Sequence, residues 1–208
     1  MADNRPVVAA FDFDGTLTYR DTLLPFLLRL AGWGGLVRGA VPLLPTLLGY
    51  ALRLTPNDVA KERVLQRFLG GMEGEELHRA GARYAEEQLP ALVRPAALAR
   101  LRWHQAQGHC CVVISASIEH YVAPWACAAG CHDVIATRLA LDGTGRVTGR
   151  YDGKNCYGME KERRLRELLG VCEDFEIYAY GDSRGDRELL ALADHAYYRT
   201  MPGEEYGA

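Results

Sequence analysis

Three short apolar runs in this chain stop abruptly at small or acidic residues. PVVAAFDF at 6–13 gives way to Gly15, HCCVVIS at 109–115 to Ala116 and Ser117, and EIYAY at 176–180 to GDSRGD. Runs of this length read as buried strands that open into loops. Helical patterns lie between them. The stretch 22–95 is helical in character, with strong helix formers at 58–69 and 73–89, and 95–107 reads as a further helix stopped by Gly108. Helices are also predicted over 117–129, ended by Gly130, over 157–169, ended by Gly170, and over 186–193. A hairpin is predicted over 133–151 around DGTG, and a last short strand over 196–200. Strands alternating with helices imply an α/β fold with a parallel sheet. The 208 residues suffice for one domain, or for a core domain with a sizeable insertion.

Hydrophobic residues make up 49% and charged residues 25%, the composition of a folded soluble protein. Lys and Arg total 24 against 27 Asp and Glu, so nucleic-acid binding through bulk positive charge is excluded. The opening MADNRPVVAA lacks the basic start and apolar run of a secretory signal. The six cysteines (Cys110, Cys111, Cys127, Cys131, Cys156, Cys172) are therefore read as reduced thiols of a cytoplasmic protein. Cys127, Cys131 and His132 faintly resemble a metal site, but no second ligand pair has zinc-like spacing, and apolar filler on a helix face is the preferred reading.

Between Asp21 and Asp58 there is no acidic residue, and segment 23–54 carries only Arg29, Arg38 and Arg53 as charges. Prolines at 25, 42 and 45 and a glycine cluster around Trp33 interrupt it. Its longest uncharged stretch, 39–52, is shorter than the ~20 residues a spanning helix needs. Two readings remain: an apolar helical pair packed over a core, which is the default, or an interfacial segment touching a bilayer while its arginines meet lipid phosphates.

Four pieces carry chemistry. Asp12 and Asp14, two apart on extended backbone, point the same way, and Gly15 lets the chain turn just beyond them. Such a pair can hold a divalent cation while one member attacks and the other manages a proton. Taken alone, DFDGT also fits an Asx-rich turn. Ser115 ends its strand near a helix start, placed to bind a phosphate oxygen or simply to cap the helix. Lys161 near a helix start opposes the macrodipole unless it faces bound phosphate, although Arg163, Arg164 and Arg166 make a solvated charged face the competing reading. Asp182 and Asp186 follow a buried strand at the carboxyl edge where α/β sheets bind ligands, completing an oxygen site suited to Mg²⁺. The ordered set is far more specific than any one member.

With DFDGT, Ser115 in VVISAS, Lys161 and GDSRGD in this order, the chain resembles the haloacid dehalogenase superfamily, in its phosphoserine-phosphatase-like branch. The resemblance implies a Rossmann-like parallel-sheet core over 1–17 and 95–208, with a helical cap over 18–94 inserted after the first motif. It implies that Asp12 forms an aspartyl-phosphate and that Asp14 first protonates the leaving group and then deprotonates water. Ser115, Lys161 and Gly15 would bind phosphate. Asp12, Asp182, Asp186 and the backbone carbonyl of Asp14 would hold Mg²⁺. Tyr19 and Arg20, where the chain enters the cap, are the candidate substrate contacts.

The expected activity is phosphomonoester hydrolysis, on a phosphorylated small molecule or a phospholipid head group. Ala116 and Ser117 stand where phosphoserine phosphatases carry two glycines, and the apolar cap segment is similar to that of bacterial phosphatidylglycerophosphate phosphatases of this branch. Peripheral membrane contact through 23–54 would accompany that substrate. A phosphotransferase using an acceptor other than water and a non-catalytic binding module are the alternatives. Product analysis separates the first from a hydrolase, and the intact acid, serine and lysine set argues against the second.

Overall fold

The computed structural model describes residues 5–202; residues 1–4 and 203–208, at the two ends of the expected core, lie outside the described residues. Five strands form a parallel sheet: β1 (Val7–Phe11), β2 (Cys110–Ile118), β3 (Asp133–Thr137), β6 (Glu176–Gly181) and β7 (His195–Tyr198). Their order is β3-β2-β1-β6-β7. Strand β1 is central because it is apolar on both faces. Val8 and Ala10 join a layer with Leu165 and Leu189, while Ala9 and Phe11 join the larger core with Leu101 and Tyr180. Period-2 alternation with both faces buried is what a central parallel strand requires.

Helices α5 (Pro95–Ala106), α6 (Glu119–Ala128), α7 (Met159–Leu169) and α8 (Arg187–Leu192) flank the sheet. A two-stranded antiparallel hairpin, β4 (Leu139–Leu141) with β5 (Val147–Tyr151), stands apart from it. The expected hairpin over 133–151 is thus half corrected. Asp133–Thr137 pairs in parallel with β2 at the sheet edge, and only the part after Thr137 turns back on itself. The expected helix start at Ser117 is also corrected: β2 runs on to Ile118, and α6 begins at Glu119.

Between β1 and α5 the chain makes an excursion that begins and ends at one place, the isolated bridge between Thr18 and Val93. It contains α1 (Leu23–Ala40), α2 (Leu44–Ala51), α3 (Asn57–Leu69) and α4 (Gly74–Glu87). Helix α1 is bent where Gly32 adopts φ 65°. The inner stripe of α3 is Leu65 and Leu69, both fully buried, and each such side chain contributes roughly 1.5–3 kcal/mol of burial free energy.

Two glycines set how closely the excursion sits on the rest. A Cβ at Gly81 in α4 would run into the carbonyl oxygen of His120 at the start of α6. One at Gly149 in β5 would run into the backbone of Gln66 in α3. Tyr151 adds polar ties, its N–H donating to Glu62 Oε1 at 3.1 Å and its hydroxyl to the Asp58 carbonyl at 3.0 Å.

Candidate active site

The acids gather at the carboxyl ends of β1 and β6, neighbouring strands of the sheet. Past Phe11 the backbone makes a wide turn over Phe13–Leu17, non-helical at Asp14 and at Gly15, where φ is 80°. A side chain at Gly15 would be strained, and its Cβ would overlap the carboxylate of Asp182. The turn therefore lets the loops after β1 and β6 approach closely enough for Asp12 and Asp182 to share one site.

Asp12 is buried, 5% exposed. Its Oδ1 accepts from Lys161 Nζ at 2.5 Å and its Oδ2 from the Thr16 hydroxyl at 3.2 Å. Lys161 also donates to Asp186 Oδ1 at 2.6 Å. Asp186 is fully buried, and its Oδ2 accepts from Ser183 N–H at 3.0 Å and from the Ser183 hydroxyl at 2.8 Å. Burial pushes the Asp12 carboxyl up to about 7 against the pull of Lys161. Burial also acts to raise Asp186, but Lys161 and Ser183 outweigh it and hold that group below the usual carboxylate range. Burial and the neighbouring Asp186 raise Asp182.

Carboxylate oxygens of Asp12, Asp182 and Asp186 lie within 4.8 Å of one another. Among the described residues, Oδ1 of Asp182 is buried with no hydrogen-bond partner. Three carboxylates beside one ammonium leave two negative charges uncompensated, and the donors are all hard oxygens. That set fits Mg²⁺. The Asp14 carboxylate is not part of this cluster. Its Oδ1 accepts from Thr22 N–H at 2.8 Å and the Thr22 hydroxyl at 2.6 Å, and its Oδ2 accepts from the Ser117 hydroxyl. Only its backbone carbonyl remains as a candidate ligand. Burial, and then Asp21, raise the Asp14 carboxyl, opposed by those hydroxyl bonds. A carboxyl whose affinity for its proton is raised in this way is better suited to give and take one than an exposed aspartate.

A cavity of 520 Å³ opens on this cluster, and Asp12, Asp14, Gly15, Lys161 and Asp182 all line it. Tyr19 and Arg20 line it too. Ser115 sits deeper, 1% exposed, its hydroxyl accepting the Ser117 N–H at 2.9 Å, while Ala116 and Ser117 form the surface of the cavity. A cleft of 910 Å³ nearby shares Asn57 and Tyr157 with the cavity but includes none of Asp12, Asp14 or Asp182.

Sequence reasoning missed Lys61, Leu47 and Tyr50, which complete the wall from α3 and α2. Lys61 reaches across to donate to the Ala116 carbonyl at 2.6 Å, and its nearest opposite charges are Asp14 and Asp21. A signal existed: Lys61 precedes Leu65 and Leu69 at four-residue spacing, so it lies on the buried stripe of α3.

Buried carboxylates at the ends of neighbouring parallel strands, with a lysine from α7 between them, make up the polar floor of this cavity. The chain belongs to the haloacid dehalogenase-like hydrolase family, which it matches over residues 9–191. It is 38% identical to Protein CicA of Caulobacter vibrioides over 204 residues, 97% of this chain and 89% of that one. A crystal structure of a protein of unknown function from Bordetella pertussis Tohama I has a TM-score of 0.77 at 26% identity, covering 90% of this chain and 87% of that one. A substrate-bound phosphoserine phosphatase shares the fold, with a TM-score of 0.61 at 16% identity over 91% of this chain and 84% of that one.

Proposed function

We propose that this hydrolase cleaves phosphate monoesters with Mg²⁺, through an aspartyl-phosphate on Asp12. The observation that carries the reading is the buried Asp12 carboxylate, gripped by Lys161 on one side and facing the unpartnered Asp182 Oδ1 in a shared cavity. In this reading Asp12, Asp182, Asp186 and the Asp14 carbonyl hold the ion, whose positive charge lessens the repulsion between phosphate and carboxylate. An Asp12 oxygen attacks phosphorus and the ester P–O bond breaks, while Asp14 gives its proton to the leaving alkoxide. Asp14 then takes a proton from water, the water oxygen attacks phosphorus, and the acyl-phosphate P–O bond breaks to free inorganic phosphate. Lys161, Ser115 and the Gly15 N–H meet the phosphoryl oxygens, and catalysis is mostly alignment and charge compensation.

The units are a catalytic core over 1–17 and 95–208 and a cap over 18–94 that carries Tyr19, Arg20 and Lys61 to the substrate. The cellular place is the cytoplasm, with peripheral membrane contact through 23–54. Leu47 and Tyr50 in the cavity wall favour an ester with an apolar portion, a phospholipid head group, over a small soluble metabolite.

The test is phosphate release with Mg²⁺ from soluble phosphomonoesters and from phosphatidylglycerophosphate and phosphatidic acid in mixed micelles. Asp12→Asn is expected to abolish turnover with the fold intact; retained activity refutes the nucleophile. Transfer of phosphate to an added alcohol instead of water would mark a phosphotransferase.

A further inference from the structure

We infer that the outer face of α1 and α2 docks on an anionic bilayer, so that the cavity holding Asp12 opens beside the lipid. The inference deepens the lipid-phosphate reading and rests on it for purpose, though not for the binding itself. Leu24, Trp33, Val37, Leu48, Leu52 and Leu54 are 59, 73, 62, 61, 68 and 78% exposed, all within one short excursion of the chain. Apolar groups gathered in this way mark a contact surface, since single exposed leucines scatter. The stretch Leu23–Ala51 is apolar enough to cross a membrane by length and composition, with 17% of its most apolar window buried. It is not one straight helix, however. Gly32 at φ 65° bends it, and the tight turn Val41–Leu43 with its Pro42 separates α1 from α2. No straight piece reaches the ~20 residues of a span, so the face is suited to lie in the interface rather than traverse it.

Charge selects the occupant. No acid occurs between Asp21 and Asp58, whereas Arg29, Arg38 and Arg53 do. Arg29 pairs with Glu87, but Arg38 and Arg53 are exposed and are not ion-paired among the described residues. Two copies meeting through this face would set like charges together with no acid of the segment to answer them. A layer of anionic head groups answers them all. The face is also continuous with the site: Leu47 and Tyr50, 36 and 48% exposed, sit on α2 among these residues and line the cavity. An ester leaving the bilayer plane reaches Asp12 along an apolar wall.

The experiment is flotation of the full chain with vesicles of phosphatidylcholine alone and of phosphatidylcholine mixed with phosphatidylglycerol, at low and high salt. Binding is expected only to the mixed vesicles, weakened by salt, with a blue shift of emission that Trp33→Phe removes. Arg38→Glu and Arg53→Glu should each weaken binding about fivefold or more. Trp33→Glu and Leu48→Glu should abolish it while hydrolysis of a soluble ester is retained. Absence of binding by the folded wild type overturns the docking face, as does a dimer that Leu48→Glu dissociates. Asp12→Asn should bind vesicles like the wild type. Binding without any hydrolysis would leave the docking face standing and remove the phosphatase reading, while hydrolysis without binding would do the reverse.

Discussion

Gly15 stands where any Cβ would overlap Oδ2 of Asp182. The glycine in DFDGT is thus a spatial requirement of a residue far along the chain, as well as a positive-φ turn residue. Gly15→Ala should push Asp182 out of the cluster and strain the turn. Expected outcomes are a loss of about 1–3 kcal/mol in stability by urea unfolding and a markedly weaker response to Mg²⁺. Unchanged Mg²⁺ dependence would show that Asp182 does not need this approach.

Metal-free protein should be penalised for its clustered acids. Asp12 titrates at about 7 in the fold against an ordinary value of 3.8. A raised carboxyl contributes stability that is complete below the unfolded value and is lost as pH rises through the folded one. Between about pH 4 and 7 that contribution drains away, and Mg²⁺ should restore it. The rise in Tm on adding Mg²⁺ should therefore be larger at about pH 8 than at about pH 5, and Asp182→Asn should shrink it. A pH-independent rise, unaffected by that substitution, would count against the cluster as the ion's site.

Lys61 joins α3 to the carboxyl-end part of β2 and faces the cavity. If it binds substrate, Lys61→Met should raise KM roughly tenfold or more with a smaller fall in kcat, and Lys61→Arg should recover part of the loss. A fall in Tm with KM unchanged would assign it a purely structural tie.

His104 is fully buried, its Nε2 hydrogen-bonded with the Tyr180 hydroxyl at 2.9 Å and its Nδ1 with His109 Nδ1 at 2.7 Å. Burial, then Arg100 and His109, push it down to about 3. A depressed base contributes stability above its ordinary value of 6.5 that is lost as pH falls toward 3, at up to about 1.4 kcal/mol per pH unit. Between about pH 5 and about pH 7 the unfolding free energy should rise less in His104→Gln than in the wild type.

The parallel core and its acids were legible because each rests on local pattern. An apolar run that ends in Asp12 or Gly181 carries both the strand and its terminus in a few residues. What was missed depends on partners distant in sequence. Ser117 has the side chain of a helix cap, yet its hydroxyl goes to Asp14 from the neighbouring loop, and the strand continues past it. Asp133–Thr137 goes from exposed at Asp133 to buried at Ala136 and Thr137, and only its pairing with Val112, Val113 and Ile114 makes it a sheet edge. Lys61 finds its partner, the Ala116 carbonyl, only across the cavity.

The contacts at Gly81 with His120 and at Gly149 with Gln66 carry a consequence for how such a hydrolase diversifies. Backbone touching backbone sets how closely the excursion sits on α6 and on the hairpin, whereas Leu47, Tyr50 and Lys61 only colour the wall that results. The scaffold's dimensions and its taste in substrates are thus inherited through separate residues. Drift among the wall side chains can retune what enters while leaving the depth and alignment of the acids where they are.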